Sequence, residues 1–291
     1  MTGKYKKSFI ILCLLLFSAC RVKTTNETSF ILKEERIQIS QNSSIDYLSY
    51  IEGNNENIQY TPIDTSKRGT YNVVYTQNNQ QHTLIVDVVR MYEHHIFNPQ
   101  DVDPEIISNP NEITALVNKT HQIPEDYIPN DLVEVIDSHQ KLRKEAALAY
   151  NEFYQAAKQK GITCYAISGY RTNEMQTLYW KRQVAINGEE YASQYSAYPL
   201  RSEHQLGLAM DVSYQLTGDR LTCKVASSEI GKFIISDGYK YGFILRYPED
   251  KIAITNYGYE PWHMRYVGKE LAKKLYESQM TLDEYVKENH V

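Results

Sequence analysis

The chain has 291 residues, of which 42% are hydrophobic and 23% charged, so it is long enough for one sizeable core plus a smaller module. This composition excludes a disordered protein. A formal net charge of −5, with no basic stripe of interleaved aromatic residues, argues against a nucleic-acid partner.

Residues 1–19 have the pattern of a targeting segment. Three lysines precede an apolar run at residues 9–17 that is too short to span a bilayer as a helix, and Ser18-Ala19-Cys20 follows. The cysteine at this place resembles a lipoprotein signal, in which Cys20 becomes the lipidated first residue; an ordinary secretory signal is the alternative. We therefore expect a lipid-anchored protein at the extracellular face of a bacterial membrane, with residues 20–27 as a tether.

Residues 28–90 are predicted to form a small β-sandwich. Apolar residues alternate at Ile37 and Ile39, around Val73, and again around Val86, and Asn-rich stretches separate them. The segment at residues 67–75 resembles bacterial immunoglobulin-like modules, for which we favour a purely structural role over wall binding.

Residues 91–115 contain Pro, Asp and Asn and are predicted to be a linker. The main domain then spans residues 116–291. Apolar residues spaced by three and four predict a helix from 142 to 157 that Gly161 ends, and a strand at residues 162–167 leads to a second helix that Thr172 or Asn173 caps and that ends near Asn187-Gly188. Further helices are expected within 227–236 and 268–278, and a strand at 242–247. Because helices and strands do not alternate regularly, the predicted class is α+β, with a small antiparallel sheet flanked by helices.

Two distant stretches supply candidate metal ligands. His204 and Asp211 flank Gly207, and His263 follows much later. A straight strand would separate His204 from Asp211 by about 23 Å, so a shared ion requires a turn, which Gly207 permits. Three such ligands leave a tetrahedral zinc ion with one open position for water, as in catalytic sites.

Two further residues have the chemistry that hydrolysis requires. Pro261 biases Glu260 toward an extended backbone, so its spacing to His263 is not that of a helical zinc protease, and Glu260 is the candidate general base. Arg171 follows a strand and is the candidate for stabilising the oxyanion. Taken singly, each of these polar residues is more often an ordinary surface group; their joint occurrence favours a site.

The ordered motifs resemble the VanY-type family of zinc D-alanyl-D-alanine and L,D-carboxypeptidases. They are Ser168-Gly169-Tyr170-Arg171, Ser202-x-His204-x-x-Gly207-x-Ala209-x-Asp211 and Glu260-x-Trp262-His263-x-Arg265. The resemblance covers residues 116–291. It implies zinc bound by His204, Asp211 and His263, Glu260 as catalytic base, Arg171 as transition-state stabiliser, and substrate contacts from Ser202, Gln176 and Ser196. One departure is Leu200, where relatives often have glycine.

The resemblance implies an exported zinc carboxypeptidase that removes the C-terminal D-alanine of peptidoglycan stem peptides. The alternatives are a peptidoglycan endopeptidase and a catalytically silent wall-binding lipoprotein. A monomer is expected. The sequence leaves open D,D or L,D specificity, the ligand of the β-module, and whether Cys164 and Cys223 form a disulfide or remain two buried free thiols.

Overall fold

The computed structural model describes residues 30–218 and 220–289. The predicted signal peptide at residues 1–19, the lipidation site Cys20 and the tether at residues 20–27 lie outside this part of the chain. Within it, no helix combines the length and the apolar character that crossing a membrane requires.

The first part of the described chain is a β-module with two sheets. Its strands are β1 (Ile31–Leu32), β2 (Arg36–Ser40), β3 (Ile51–Glu52), β4 (Gln59–Tyr60), β5 (Gly69–Gln77) and β6 (Gln80–Val89). One sheet has the order β2-β6-β5-β4, with β2 parallel to β6 and the other neighbours antiparallel. In the second sheet, β1 pairs antiparallel with β3.

The alternating residues of β5 and β6 face the core of this module. Val73 and Tyr75 on β5 and Val86 on β6 are fully buried, as the period-two pattern predicts. A tight turn with positive φ at Asn78 and Asn79 joins the two strands, a conformation that asparagine tolerates better than most residues. The immunoglobulin-like class of the module stays a prediction.

The remaining part combines helices with short strands, in agreement with the α+β prediction. Its first elements are β7 (Glu105–Ile106), β8 (His121–Gln122), β9 (Leu132–Glu134), β10 (Lys141–Arg143) and α1 (Lys144–Gln159). The strands of the central sheet are β11 (Tyr165–Ser168), β12 (Ala209–Ser213), β13 (Phe243–Leu245) and β14 (His263–Tyr266). They are antiparallel, in the order β11-β12-β14-β13. The accompanying helices are α2 (Asn173–Tyr195), α3 (Lys224–Ser227), α4 (Glu229–Asp237), α5 (Ile252–Thr255), α6 (Lys269–Ser278) and α7 (Leu282–Asn289).

Local signals explain where the longer helices begin and end. The Thr172 hydroxyl accepts a hydrogen bond from the backbone N–H of Met175 at 3.2 Å and so caps α2, as predicted. The helix continues beyond its predicted end to Tyr195, with a kink at Gly188, where φ is +86°. Helix α7 was not predicted.

The register of the central sheet places two distant residues opposite each other. Asp211 on β12 pairs directly with His263 on β14. His204 precedes β12 in a turn that reverses at Gly207, where φ is +67°. The positive φ favours glycine, and a Cβ atom at Gly207 would also lie only 3.0 Å from Leu132 Cδ2, which is a tight contact. The turn predicted between His204 and Asp211 is therefore present.

Residues 91–102, which we call the strap, connect the β-module to the rest of the protein. Their composition predicted a linker, but Ile96, Phe97, Asn98 and Val102 are each at most 3% exposed. The strap is therefore packed into the structure rather than solvated.

Leu200 has an unusual backbone conformation for its residue type. Its φ is +69°, in the left-handed region that costs an ordinary residue about 1–2 kcal/mol relative to glycine. The surroundings impose this conformation, because the Leu200 carbonyl accepts from the N–H of Ile123 at 2.9 Å and the Leu200 N–H donates to Gln205 Oε1 at 2.7 Å.

We expect Leu200→Gly to be more stable than Leu200→Ala by about 1 kcal/mol, because both variants lose the same packing but only glycine relieves the backbone strain. Urea unfolding of the two variants measures the difference. Exposed Leu148 in α1 is the control, since there the glycine variant should be the less stable one by a similar amount. A Leu200→Gly protein less stable than Leu200→Ala contradicts the strain.

Candidate active site and metal centre

His204, Asp211 and His263 converge to form a candidate metal centre. One donor atom from each lies within 4.8 Å of the others, and all three residues are buried. Nε2 of His204 lies 3.3 Å from one carboxylate oxygen of Asp211, and Nδ1 of His263 lies 3.0 Å from the other. Two imidazoles and one carboxylate at this spacing suit a tetrahedral zinc ion with a fourth position open.

Each imidazole has one ring nitrogen that faces Asp211. A hydrogen bond at the second ring nitrogen fixes the orientation of the ring. Nδ1 of His204 lies 2.8 Å from the carbonyl oxygen of Gly169, and Nε2 of His263 lies 3.1 Å from a carboxylate oxygen of Glu203. When these nitrogens donate, Nε2 of His204 and Nδ1 of His263 keep free lone pairs on the side of Asp211. The donor set therefore fits zinc in orientation as well as in residue type.

Glu203 is the functional residue that the sequence analysis missed. It is completely buried, and its Oε1 accepts from Arg246 Nε at 2.6 Å and from Arg265 Nη1 at 2.7 Å. Although burial opposes ionisation, the two guanidinium groups hold the pKa of Glu203 well below its usual range. Arg246 also pairs with Asp283 on α7, so a chain of buried charges connects the C-terminal helix to His263.

The metal-centre residues line a cavity of about 260 Å³. Aromatic rings, small hydroxyl side chains, one guanidinium, one thiol and two carboxyl groups form much of the remaining wall. These residues are Arg171, Tyr179, Tyr191, Tyr195, Ser196, Ser202, Glu203, Cys223, Tyr247, Tyr257, Glu260 and Trp262. Ligand pockets usually have volumes of roughly 300–1,000 Å³, so the volume of this cavity is at or below the lower end of that range. A cavity of this size suits the last one or two residues of a peptide.

Glu260 lies in the cavity wall next to the metal centre. Its Oε2 is 3.9 Å from Nδ1 of His263, and the residue is only 6% exposed. Burial, reinforced by Asp211, raises the pKa of Glu260 to about 8 against the opposing charges of His263 and Arg171. A carboxyl group with a pKa near neutrality can both accept and return a proton.

The two imidazoles differ in their electrostatic environment. Burial, together with Arg171, lowers the pKa of His204 to about 4, so its ring is neutral at pH 7. Burial also disfavours a charge on His263, but the hydrogen bonds to Asp211 and Glu203 raise its pKa to about 9. Because a metal ligand must have a free lone pair, binding of zinc at His263 releases a proton.

Arg171 lines the cavity beside Asp211. Its Nη2 donates to Asp211 at 3.0 Å, its Nε donates to Ser168 Oγ at 2.9 Å, and its Nη1 donates to Gln176 Oε1 at 3.3 Å. The Tyr179 ring packs against the guanidinium at 4.6 Å. Of the five N–H groups, two lack a partner within the described residues and can contact a substrate.

The predicted substrate contacts differ in their placement. Ser196 and Ser202 are buried and line the cavity, and Ser196 Oγ has no hydrogen-bond partner among the described residues. Gln176 lies behind Arg171 instead, with its amide donating to the Ala197 carbonyl at 2.7 Å. Because it is fully buried outside the cavity wall, Gln176 supports Arg171 rather than touching a substrate directly.

The two cysteines of the described chain are both free. Cys164 is buried, where desolvation raises its pKa to about 11, whereas Cys223 is exposed and lines the cavity. A Cys164–Cys223 disulfide is therefore not formed, and only one of the two thiols is buried.

Comparisons with known proteins show which family the chain belongs to. A sequence model of the VanY family, described as D-alanyl-D-alanine carboxypeptidase, matches residues 139–269. The putative carboxypeptidase YodJ of Bacillus subtilis (strain 168) is 45% identical over an alignment of 189 residues, and the match covers 62% of this chain and 69% of the relative. The chain belongs to the VanY family. The resemblance inferred from the motifs is confirmed.

Solved structures of VanY-like proteins have the same fold. The structure of the LD-carboxypeptidase LdcB aligns with a TM-score of 0.58 and 44% identity, and the match covers 63% of this chain and 90% of that chain. The D,D-pentapeptidase VanY in complex with Zn(II) aligns with a TM-score of 0.52 and 34% identity over 60% of this chain and 98% of that chain. Zinc is the cofactor of the VanY family, as expected from the donor set.

Proposed function

We propose that this VanY-family carboxypeptidase is exported and uses zinc to remove the C-terminal D-alanine from peptidoglycan stem peptides. The observation that supports this function best is the convergence of His204, Asp211 and His263 with Glu260 in one small cavity. Three ligands of this kind, a free carboxyl group and a confined space are the components of a hydrolytic rather than a structural metal site.

His204, Asp211 and His263 would hold the zinc ion, which would supply Lewis acidity for a carbonyl and for water. Glu260 accepts the proton of the attacking water and returns it to the departing amine of D-alanine. Both transfers need a carboxyl group that is not held by a strong hydrogen bond to another charged residue. Among the described residues, the Glu260 carboxyl group has no such bond, and its Oε2 lies 3.9 Å from Nδ1 of His263.

The cavity wall supplies the groups that orient the peptide. The two remaining N–H groups of Arg171 stabilise the oxygen that becomes negatively charged at the scissile carbonyl. The hydroxyls of Ser196 and Ser202 donate to the terminal carboxylate, and the unpartnered Ser196 Oγ gains a hydrogen bond that it otherwise lacks.

The pattern of residues 1–20 is the basis for a proposal about where the protein is located. We propose that residues 1–19 direct export and that a lipid on Cys20 retains the enzyme at the outer face of the membrane. The stem peptides of the cell wall are then within its reach.

The proposed activity can be measured on purified muropeptides. We expect zinc-loaded protein to release free D-alanine, a chelator to abolish the release, and added Zn²⁺ to restore it. His263→Gln should bind no zinc at micromolar concentration and release no D-alanine, whereas His139→Gln, whose side chain is 99% exposed, should behave like the wild type.

The products separate the proposed function from its alternatives. Because LdcB is more similar in sequence than the D,D-pentapeptidase, we expect tetrapeptides to be cleaved faster than pentapeptides. Cleavage inside the stem or cross-bridge would identify an endopeptidase. Binding to cell walls without any cleavage would contradict enzymatic function.

A further inference from the structure

Arg201 is a buried cation that has no acidic partner among the described residues. The residue is 5% exposed and forms no ion pair with a carboxylate in the described part of the chain. Its Nη1 donates to the carbonyl oxygens of Pro99 at 2.6 Å and Lys119 at 2.7 Å, and its Nη2 donates to that of Val102 at 3.0 Å. A guanidinium is costly to bury, so these three charge-assisted bonds are what compensate it.

Two of the three acceptors belong to the strap. A second buried cation also reaches it: Lys119 is 2% exposed, and its Nζ donates to the carbonyl oxygen of Phe97 at 2.8 Å. Three strap carbonyls are thus held by cations that belong to the catalytic part of the chain. The strap is thus held through main-chain carbonyls as well as through the buried side chains of Phe97 and Val102, and the carbonyls do not show in the composition that predicted a linker.

Arg201 itself lies next to active-site residues in the sequence. Arg201 directly precedes Ser202, is two residues from Glu203 and is three residues from His204. It directly follows Leu200, whose left-handed conformation is unfavourable for leucine. A segment with a strained residue needs outside contacts to keep its position, and the Arg201 side chain makes three of them.

An ion pair next to the strap reaches helix α2. Arg90, immediately before the strap, pairs with Glu189 through Nη1 at 2.6 Å, and both side chains are 42% exposed. Glu189 follows the kink at Gly188, in the part of α2 that carries Tyr191 and Tyr195 into the cavity wall. Because an ion pair this exposed contributes little, the buried bonds of Arg201 and Lys119 are the stronger contacts.

We infer that Arg201 is a positioning residue for the proposed peptidase reaction: its bonds to the strap hold Ser202 and His204 in the arrangement that binds the stem peptide. The expected effect on KM rests on the proposed function. The expected effect on the position of the Ser202–His204 segment rests on geometry alone. The strap is accordingly part of the enzyme's working unit.

Arg201→Gln tests the inference, because glutamine offers too few donors for three carbonyls and no charge. At a temperature where near-ultraviolet circular dichroism shows a folded protein, KM for the stem peptide should rise about tenfold, while kcat changes by less than about threefold. Arg201→Lys keeps the charge and some of the bonds, so its KM should lie between those of Arg201→Gln and the wild type. Hydrogen exchange of the amides at residues 199–207 should become faster in the same order.

Lys251→Gln is the control for the loss of a partly buried cation. Lys251 pairs with Glu284 at 3.2 Å and lies outside the cavity wall and outside the strap. This variant should lose stability but keep KM and the exchange rates of residues 199–207.

An unchanged KM and unchanged exchange at residues 199–207 in folded Arg201→Gln would overturn the inference. If that variant does not fold, Arg201→Lys decides in the same way. If the wild type cleaves no muropeptide, the proposed function fails by itself, and the exchange rates still show whether Arg201 positions the segment.

Discussion

Glu260→Gln is expected to lower kcat for D-alanine release by about 10²–10⁴-fold while leaving the zinc content unchanged. Glutamine has the shape of glutamate and can still accept a hydrogen bond, but it cannot take up the proton of the attacking water. Glu260 is not one of the three clustered donor residues, so the metal centre should remain intact. Steady-state kinetics with one zinc per chain, measured by elemental analysis, test both parts.

Glu249→Gln is a suitable control for the loss of a negative charge nearby, because Glu249 is exposed and lies outside the cavity wall. It should retain full turnover. A Glu260→Gln enzyme with kcat within about threefold of the wild type would rule out Glu260 as the base.

Glu203→Gln is expected to weaken zinc binding about 10- to 100-fold and to lower the free energy of unfolding by about 3–5 kcal/mol. The stability loss follows because Arg246 and Arg265 lose the buried carboxylate that neutralises them. The affinity loss follows because the amide N–H₂ would face Nε2 of His263. The imidazole must then turn or move its proton to Nδ1, where a proton prevents ligation.

Competition with a chromophoric chelator gives the zinc affinity, and urea unfolding of the metal-free protein gives the stability. Asp283→Asn separates the two effects, since Asp283 pairs with Arg246 but does not bond His263 in the described structure. That variant should be less stable and bind zinc normally. Wild-type zinc affinity in Glu203→Gln would show that Glu203 does not orient His263.

The metal ligands could be predicted because they lie in short sequence motifs with characteristic residue types and spacing. His204 and Asp211 flank a glycine, and a shared ion forces the chain to turn there, as it does at Gly207. The amphipathic spacing of α1 and the cap at Thr172 are likewise local signals. Local physics thus determined the elements that hold the site.

What could not be predicted depends on contacts between distant residues. The pairing of Asp211 with His263 joins positions 52 residues apart, and no local pattern specifies that register. Glu203 stood in the motif as an unassigned residue, because its role requires two arginines that are 43 and 62 residues away. The role of Arg201 depends on main-chain carbonyl groups of the strap. Because every residue has such a group, the sequence does not show which ones an arginine bonds.

Cys223 provides a site for chemical labelling in the wall of the active-site cavity. Its thiol is free and solvent-accessible, whereas Cys164 is shielded by the core, and Cys13 and Cys20 precede residue 30. A preparation that begins at residue 30 would therefore take up a maleimide dye at a single place. The emission of that dye would report the arrival and departure of ligands in real time, without a coupled assay.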